Sequence, residues 1–251
     1  MNLELNGKIA LVTGASRGIG LGIARGLHRE GCQVILNGRD ADALRRATAA
    51  LGRGVAVHAA DVTDIGQCHH MVAEVVGNHG AIDVLICNVG NGASVPPGQE
   101  TSEEWDQVLS INLKSTTNIV EAAMPFLARP GGSIICISSI CGLEALGAPV
   151  TYSAAKAALN AFVVGIARPL GKDGIRINAI APGNILFDGS VWDRKLAEDP
   201  VAVEAMLQNQ VALGRLGTPD NIADLAIFLA SPRADFSTGA VYVADGGQVR
   251  S

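Results

Sequence analysis

The sequence lacks the patterns that mark metal-binding and disulfide-stabilised proteins. It has five cysteines in 251 residues but no C-x-x-C pair, and its five histidines show no metal-ligand spacing. We therefore expect neither a metal site nor a disulfide framework. Four cysteines lie in or beside apolar runs, where buried reduced thiols are expected. The cysteines are Cys32, Cys68, Cys87, Cys136 and Cys141.

Charge and long hydrophobic runs are scarce as well. Charged residues make up 17% of the chain and the formal net charge is -5, which argues against binding to a phosphate backbone. The N-terminus has no basic region followed by a long apolar run, and no apolar stretch approaches the roughly 20 residues that cross a bilayer. We therefore expect a cytoplasmic protein with no nucleic-acid or membrane partner.

Short β-branched runs alternate with helical segments along the whole chain. The runs are nearly continuous in apolar residues, as expected when helices cover both faces of a parallel sheet. They predict an α/β fold, a doubly wound and mainly parallel seven-stranded sheet. The predicted strands are Ile9–Val12, Val34–Leu36, Val55–Val57, Val84–Ile86, Ile134–Ile137, Ile175–Ile180 and Val241–Val243.

The pattern between the strands predicts one domain over residues 1–251, because no Pro/Ser-rich linker or charge block divides the chain. The segment 183–213 is too long for a plain connection, and we expect a substrate lid or a mobile loop there. Helices are predicted at about 19–30, 41–51, 65–79, 102–128, 151–170 and 219–230.

A glycine-rich loop follows the first strand, in the stretch from Thr13 to Gly20. Gly14 permits a tight turn, while Gly18 and Gly20 let the backbone approach a pyrophosphate and let the next helix pack on the sheet. The N-terminus of that helix directs N–H groups at an anion. The loop therefore predicts a dinucleotide-binding site.

A candidate acid/base pair lies at the start of the helix predicted at 151–170. Tyr152 and Lys156 are four residues apart, so their side chains share one helix face. A phenol ordinarily has a pKa near 10, and we expect the ammonium group to lower it toward neutrality. Ser138 and Ser139 end the fifth strand at the carboxyl edge of the sheet, where ligands bind in such folds.

Together these motifs resemble the short-chain dehydrogenase/reductase family over essentially the whole chain. The glycine loop has the family's G-x-x-x-G-x-G spacing, and Tyr152 and Lys156 have its Y-x-x-x-K spacing. Asp61-Val62, Asn88-Val89-Gly90 and Asp245-Gly246-Gly247 match three further family motifs. The resemblance implies hydride transfer between a nicotinamide dinucleotide and a ketone or secondary alcohol. It also implies a homotetramer.

The resemblance assigns roles residue by residue. Ser139 lies thirteen residues before Tyr152 and matches the catalytic serine, while Asn112 matches the asparagine that holds a proton-relaying water chain. Ser138 is left with local hydrogen bonding. Phe187 stands where the family carries a threonine that binds the carboxamide. The implied cofactor-binding residues are Gly14, Ser16, Arg17, Gly18, Ile19, Gly20, Arg39, Asp61, Val62, Asn88, Gly90, Tyr152, Lys156, Pro182, Gly183 and Ile185.

The end of the second strand favours NADP(H) over NAD(H). NAD-preferring relatives carry an acidic residue at the position of Gly38, and here Arg39 follows instead. An arginine can bind a 2′-phosphate through two parallel charged hydrogen bonds, and Arg17 could add a second cation. Asp40 is placed to cap the helix that begins near Ala41.

Residues around the lid suggest a mainly apolar ketone or alcohol substrate. One wall is expected from Leu186, Phe187, Val191, Trp192 and Met206, and the opposite wall from Cys141, Leu143 and Glu144.

Other functions remain open on the same fold. They are a non-catalytic NADP-binding sensor, an NAD-dependent polyol or alcohol dehydrogenase, and an epimerase or dehydratase. A sensor would not need the set of Asn112, Ser139, Tyr152 and Lys156. Epimerases and dehydratases usually have a separate substrate domain.

Overall fold

The computed structural model describes residues 2–52 and 54–250, and a single parallel sheet organises them. The strand order is β3-β2-β1-β4-β5-β6-β7, and each neighbouring pair is parallel. The doubly wound seven-stranded fold is thereby confirmed. The strands are β1 Ile9–Val12, β2 Gln33–Gly38, β3 Val55–Ala59, β4 Val84–Cys87, β5 Ser133–Ile137, β6 Arg176–Pro182 and β7 Val241–Ala244.

Helices cover both faces of the sheet, so strand side chains alternate between two cores. The helices are α1 Gly18–Arg29, α2 Ala41–Leu51, α3 Ile65–His79, α4 Ser102–Leu109, α5 Ser115–Ala123, α6 Val150–Gly171, α7 Val191–Glu198, α8 Pro200–Gln210 and α9 Pro219–Ala230. Leu11 lies in the core under α3, α5 and α6, while its neighbour Val12 lies in the core under α1, α2 and α9.

The helix predicted at 102–128 is interrupted. It begins as α4, passes through a π-helical turn at Ser110–Lys114, continues as α5 and ends in a 3₁₀ turn at Met124–Phe126. Side-chain hydrogen bonding to the backbone accompanies the turn, since Ser115 Oγ donates to the carbonyl of Ile111 at 2.6 Å. The apolar period of a π turn differs too little from that of an α-helix over five residues to be read from sequence.

The segment 183–213 is mostly helical rather than an irregular loop. It contains α7 and α8, whose N-cap residues Ser190 and Asp199 accept hydrogen bonds from the first turns. Its base is tied down where Leu186 N donates to Gly217 O at 2.8 Å. The predicted long insertion is therefore a helical pair that flanks the carboxyl end of β6.

The helix α6 is long and largely apolar in composition. Within the described parts of the chain, α6 is long and apolar enough to span a membrane by length and composition, with a mean hydropathy of 1.3. Its buried residues include Lys156 and Asn160, and the helix packs on β6. Its apolar residues are in part buried, as Leu159 and Val163 are, and in part exposed, as Val164 is.

The predicted burial of four cysteines is confirmed. Cys32, Cys68, Cys87 and Cys136 are buried and free, and Cys141 is free and half-buried.

Candidate active site

A cavity of about 240 Å³ opens at the carboxyl edge of the sheet, where the loops after β1, β4, β5 and β6 meet. Three of the predicted catalytic residues, Ser139, Tyr152 and Lys156, line it together. The other lining residues are Gly14, Arg17, Ile19, Asn88, Gly90, Asn91, Gly92, Ile137, Ser138, Pro182, Gly183, Ile185 and Phe187.

Ser139 stands in extended backbone just beyond β5, with its hydroxyl oriented by the following turn. Its Oγ accepts the N–H of Cys141 at 3.1 Å, so the hydroxyl proton is left to donate elsewhere. Ser138 also lines the cavity, and its Oγ donates to Asn160 Oδ1 at 2.6 Å, the kind of local hydrogen bond expected for it.

The environment of Tyr152 contradicts one expectation from the sequence. Burial raises the pKa of the phenol to about 12, and the hydrogen bond with Ser139 lowers it only in part. The expected lowering by Lys156 is not found, because the ammonium nitrogen lies 5.9 Å from the ring centroid and is engaged elsewhere. Tyr152 is therefore a protonated phenol at neutral pH.

Lys156 lies one turn along α6 from Tyr152 and is buried. Its Nζ donates to the carbonyl of Ile137, the last residue of β5, at 2.9 Å. Burial lowers the pKa of this ammonium group to about 8. The lysine is thus held at the end of the sheet with a proton that it can release close to neutral pH.

Asn112 is buried in the π turn and does not itself line the cavity. Its Oδ1 accepts the N–H of Asn91 at 2.9 Å, and its Nδ2 donates to the carbonyls of Asn91 and Val108 at 3.1 Å. A Cβ on Gly90 would lie 3.0 Å from both Asn112 Oδ1 and Lys156 Nζ. The loop after β4 therefore passes between these two side chains.

The glycine loop leads into α1 with the geometry of an anion site. The helix begins at Gly18, and Arg17 at its N-cap gives no side-chain hydrogen bond to the first turn. A Cβ on Gly20 would lie 2.5 Å from the carbonyl oxygen of Gly14 and from Asn88 Nδ2, so only glycine fits there. Backbone N–H groups of the first turn remain available to a phosphate.

Phe187 lies against this loop from the β6 side. A Cβ on Gly18 would stand 2.7 Å from the ring atoms Cε2 and Cζ, and φ of Gly18 is 59°. Arg17 reaches the same segment, since its Nη1 would lie 3.2 Å from a Cβ on Gly189. The residue that replaces the family's threonine is therefore packed on the turn predicted to bind phosphate.

A second cavity of about 310 Å³ continues along the ends of β2 and β3. The Arg39 side chain is 77% exposed at its rim, and Arg39 Nη1 lies 3.9 Å from Asp61 Oδ2. Asp40 turns to α2, where its carboxylate accepts N–H bonds from Asp42 and Ala43. The remaining lining residues are Gly14, Ser16, Arg17, Asn37, Gly38, Ala60, Val62, Thr63, Asn88, Val89, Gly90, Asn91 and Ile111.

Two residues that line these cavities, Asn37 and Asn91, were not predicted from the sequence. Asn37 is fully buried, and its Oδ1 has no hydrogen-bond partner among the described residues although its Nδ2 donates to the carbonyls of His58 and Ala60. Asn91 is held by Asn112. A polar residue inside the apolar run of β2 was the one available signal for Asn37.

Several expected lining residues lie elsewhere. Of the five proposed for one wall, only Phe187 lines the cavity with the catalytic residues, and none of the three proposed for the opposite wall does. Trp192 instead stacks under Lys195, with Nζ 4.6 Å from the ring centroid.

The side-chain amide of Asn88 donates hydrogen bonds to the carbonyls of Thr13 and Gly14, so Asn88 joins the loops after β1 and β4.

Comparisons with known proteins agree with this architecture. A family model described as enoyl-(acyl carrier protein) reductase matches residues 14–248. The chain is 38% identical to galactitol 2-dehydrogenase of Agrobacterium fabrum, over 98% of each protein. It is 34% identical to a 3-oxoacyl-(acyl-carrier-protein) reductase of Thermotoga maritima, over 98% of this chain and all of that one.

A solved structure gives the same result at the level of the fold. L-Sorbose reductase from Gluconobacter frateurii, in complex with NADPH and L-sorbose, superposes with a TM-score of 0.94 at 31% identity, over the full length of both chains. The motifs, the sheet order and these matches lead to one conclusion. The chain belongs to the short-chain dehydrogenase/reductase family of oxidoreductases.

Proposed function

We propose that this protein transfers a hydride between NADP(H) and a ketone or secondary alcohol, with Tyr152 as the acid/base. The observation that carries the proposal is the shared cavity of Ser139, Tyr152 and Lys156, which continues into the glycine loop. Acid/base groups beside a phosphate-binding turn are what a nicotinamide-dependent reaction at a carbonyl requires.

The residues present fit a dinucleotide. The uncapped first turn of α1 suits a pyrophosphate, and the exposed guanidinium of Arg39 at the second cavity suits a 2′-phosphate. Gly18, Ile19, Arg39, Asp61 and Lys156 are among the residues that would hold the cofactor. When bound, the nicotinamide supplies or accepts the hydride.

The protein's own groups account for the proton and the charge. In the reductive direction, Tyr152 is protonated and can donate its proton to the substrate oxygen, because burial keeps its pKa far above neutrality. Ser139 has a hydroxyl proton to donate to the same oxygen, which stabilises the negative charge that develops there. Lys156 can then supply the proton that converts the Tyr152 phenolate back to the phenol.

A panel of ketones and alcohols tests the proposal and defines the substrate. NADPH absorbance is followed with L-sorbose, an acetoacetyl thioester and simple apolar ketones, and NADP reduction is followed with galactitol. The sugar substrates are included because two of the relatives are named for sugar compounds. Turnover with any of them supports the proposal, while tight NADPH binding without turnover on every compound favours a sensor.

Phe187 is expected to slow cofactor binding, because its ring lies on the turn where we place the pyrophosphate. Replacing Phe187 with alanine should speed NADPH association by roughly fivefold, since about 1 kcal/mol of apolar contact no longer has to be broken. Stopped-flow fluorescence measures the rate.

Trp192→Ala serves as the control for Phe187, since Trp192 belongs to the same segment but does not line the cavity. Its association rate should equal that of the wild type. Equal rates for Phe187→Ala and the wild type would show that the ring does not obstruct the site.

We also propose a homotetramer with closed symmetry. Large apolar side chains are exposed on α6, where Val164 is 57% exposed, and around β7, where Phe236 and Val243 are exposed. Multi-angle light scattering at micromolar concentration should report four times the 25.8 kDa chain mass. A monomer would contradict this assignment, and Val164→Glu should shift the assembly toward smaller species.

A further inference from the structure

The loop after β4 forms one wall over the proposed acid/base. A Cβ on Gly92 would lie 3.8 Å from Cζ of Tyr152, so the backbone of this loop is in packing range of the phenol ring. Gly92 has no side chain and the side chain of Ala93 is exposed, so neither residue anchors the wall. The position of residues 90–94 therefore depends on what holds the two ends.

Both ends are held by side-chain hydrogen bonds. At the first, Asn112 binds the backbone of Asn91. At the second, Ser94 Oγ lies 2.7 Å from Glu104 Oε1 and 2.7 Å from Thr151 Oγ1. These three residues, Ser94, Glu104 and Thr151, form what we call the Ser94 bridge.

The donors of the Ser94 bridge follow from its chemistry. A carboxylate only accepts, so the Ser94 hydroxyl donates to Glu104 and the Thr151 hydroxyl donates to Ser94. Thr151 is fully buried, precedes Tyr152 and lies in the first turn of α6. The N-cap of that helix, Pro149, supplies no side-chain cap bond. The bridge thus joins α4, the loop wall and the helical turn that carries Tyr152.

We infer that Ser94 is a positioning residue for Tyr152, acting with Glu104 and Thr151 to hold the wall at residues 90–94 against the phenol. This inference rests on the proposed role of Tyr152. Small errors in the placement of a proton donor lower the chemical step more than they lower cofactor binding, because the donor is needed only during reaction. The Ser94 bridge accordingly controls kcat.

Kinetics with the best substrate of the panel test the inference. Ser94→Ala and Thr151→Val should each lower kcat about tenfold and leave the NADPH Kd within about twofold. Ser94→Thr should restore most of the loss, because it keeps the hydroxyl. Glu104→Gln should also stay close to wild type, since its amide oxygen still accepts.

The double variant Ser94→Ala/Thr151→Val should be no slower than the worse single variant, as expected for residues in one network. Ser102→Ala is the matched control, an exposed serine on α4, and should leave kcat unchanged. A lower melting temperature with unchanged kcat would reduce the Ser94 bridge to a structural contact and overturn the inference. If Tyr152→Phe retains turnover, the proposed function fails first.

Hydrogen exchange gives a second test that needs no substrate. In the protein with NADP added, Ser94→Ala should speed amide exchange in peptides covering 89–95 and 150–154, and Ser102→Ala should not. Unchanged exchange in both peptides would show that Ser94 does not hold the wall.

Discussion

Replacing Tyr152 with phenylalanine should lower kcat by roughly 10²- to 10⁴-fold, the usual contribution of a general acid. The change removes the phenol hydroxyl of Tyr152, whose pKa of about 12 keeps it protonated at neutral pH. NADPH affinity should change less than about twofold, because Lys156 and the glycine loop are untouched. Initial rates with the best substrate, and fluorescence titration with NADPH, give the two quantities.

The second tyrosine of the chain provides the control. Tyr242 bonds to Ser237 through its hydroxyl, and it does not line the catalytic cavity. Tyr242→Phe loses a hydrogen bond of the same kind, so it reports any loss that comes from stability alone. Comparable rates for Tyr152→Phe and Tyr242→Phe would remove Tyr152 from the chemistry.

Replacing Arg39 with alanine should weaken NADPH binding about ten- to a hundredfold, since a charged hydrogen bond contributes roughly 1.5–3 kcal/mol. NADH affinity should hardly change, because NADH has no 2′-phosphate. The contact between Arg39 and Asp61 is no obstacle, as an exposed pair at 3.9 Å contributes little and the guanidinium can turn to a phosphate. Adding Gly38→Asp should shift preference further toward NADH by repulsion.

Parallel titrations with both cofactors decide between NADP and NAD. Arg45→Ala is the control, because Arg45 is an exposed arginine of α2 already paired with Asp42. Equal weakening of NADPH and NADH by Arg39→Ala would show that Arg39 does not read the phosphate. Tighter NADH binding by the wild type would favour the NAD-dependent polyol dehydrogenase.

The sheet could be predicted because strands that are buried on both faces are nearly continuous runs of apolar residues. A run such as Ile134–Ile137 has no polar alternation, and all seven predicted strands overlap observed ones. The glycine loop could be predicted as well, because the space at Gly20 is too small for any residue with a side chain. Asp40 as a helix cap followed from its position before α2.

Other features depend on long-range packing and left no such trace. The pKa of Tyr152 is set by burial in the folded protein, whereas i,i+4 spacing suggested only the charge of Lys156. The packing of Phe187 on Gly18 joins residues that lie far apart in the chain. Ser94 and Thr151 are likewise distant in sequence, so no local pattern predicted the Ser94 bridge.

Transfer of deuterium from 4-deuterated NADPH tests the central proposal most directly. Product from the best ketone of the panel is analysed by mass spectrometry, with the labelled hydrogen on the transferring face. Wild type should place one deuterium on the carbinol carbon, and Tyr152→Phe should form almost no labelled alcohol in the same time. Consumption of NADPH without deuterium on that carbon would contradict hydride transfer to a ketone.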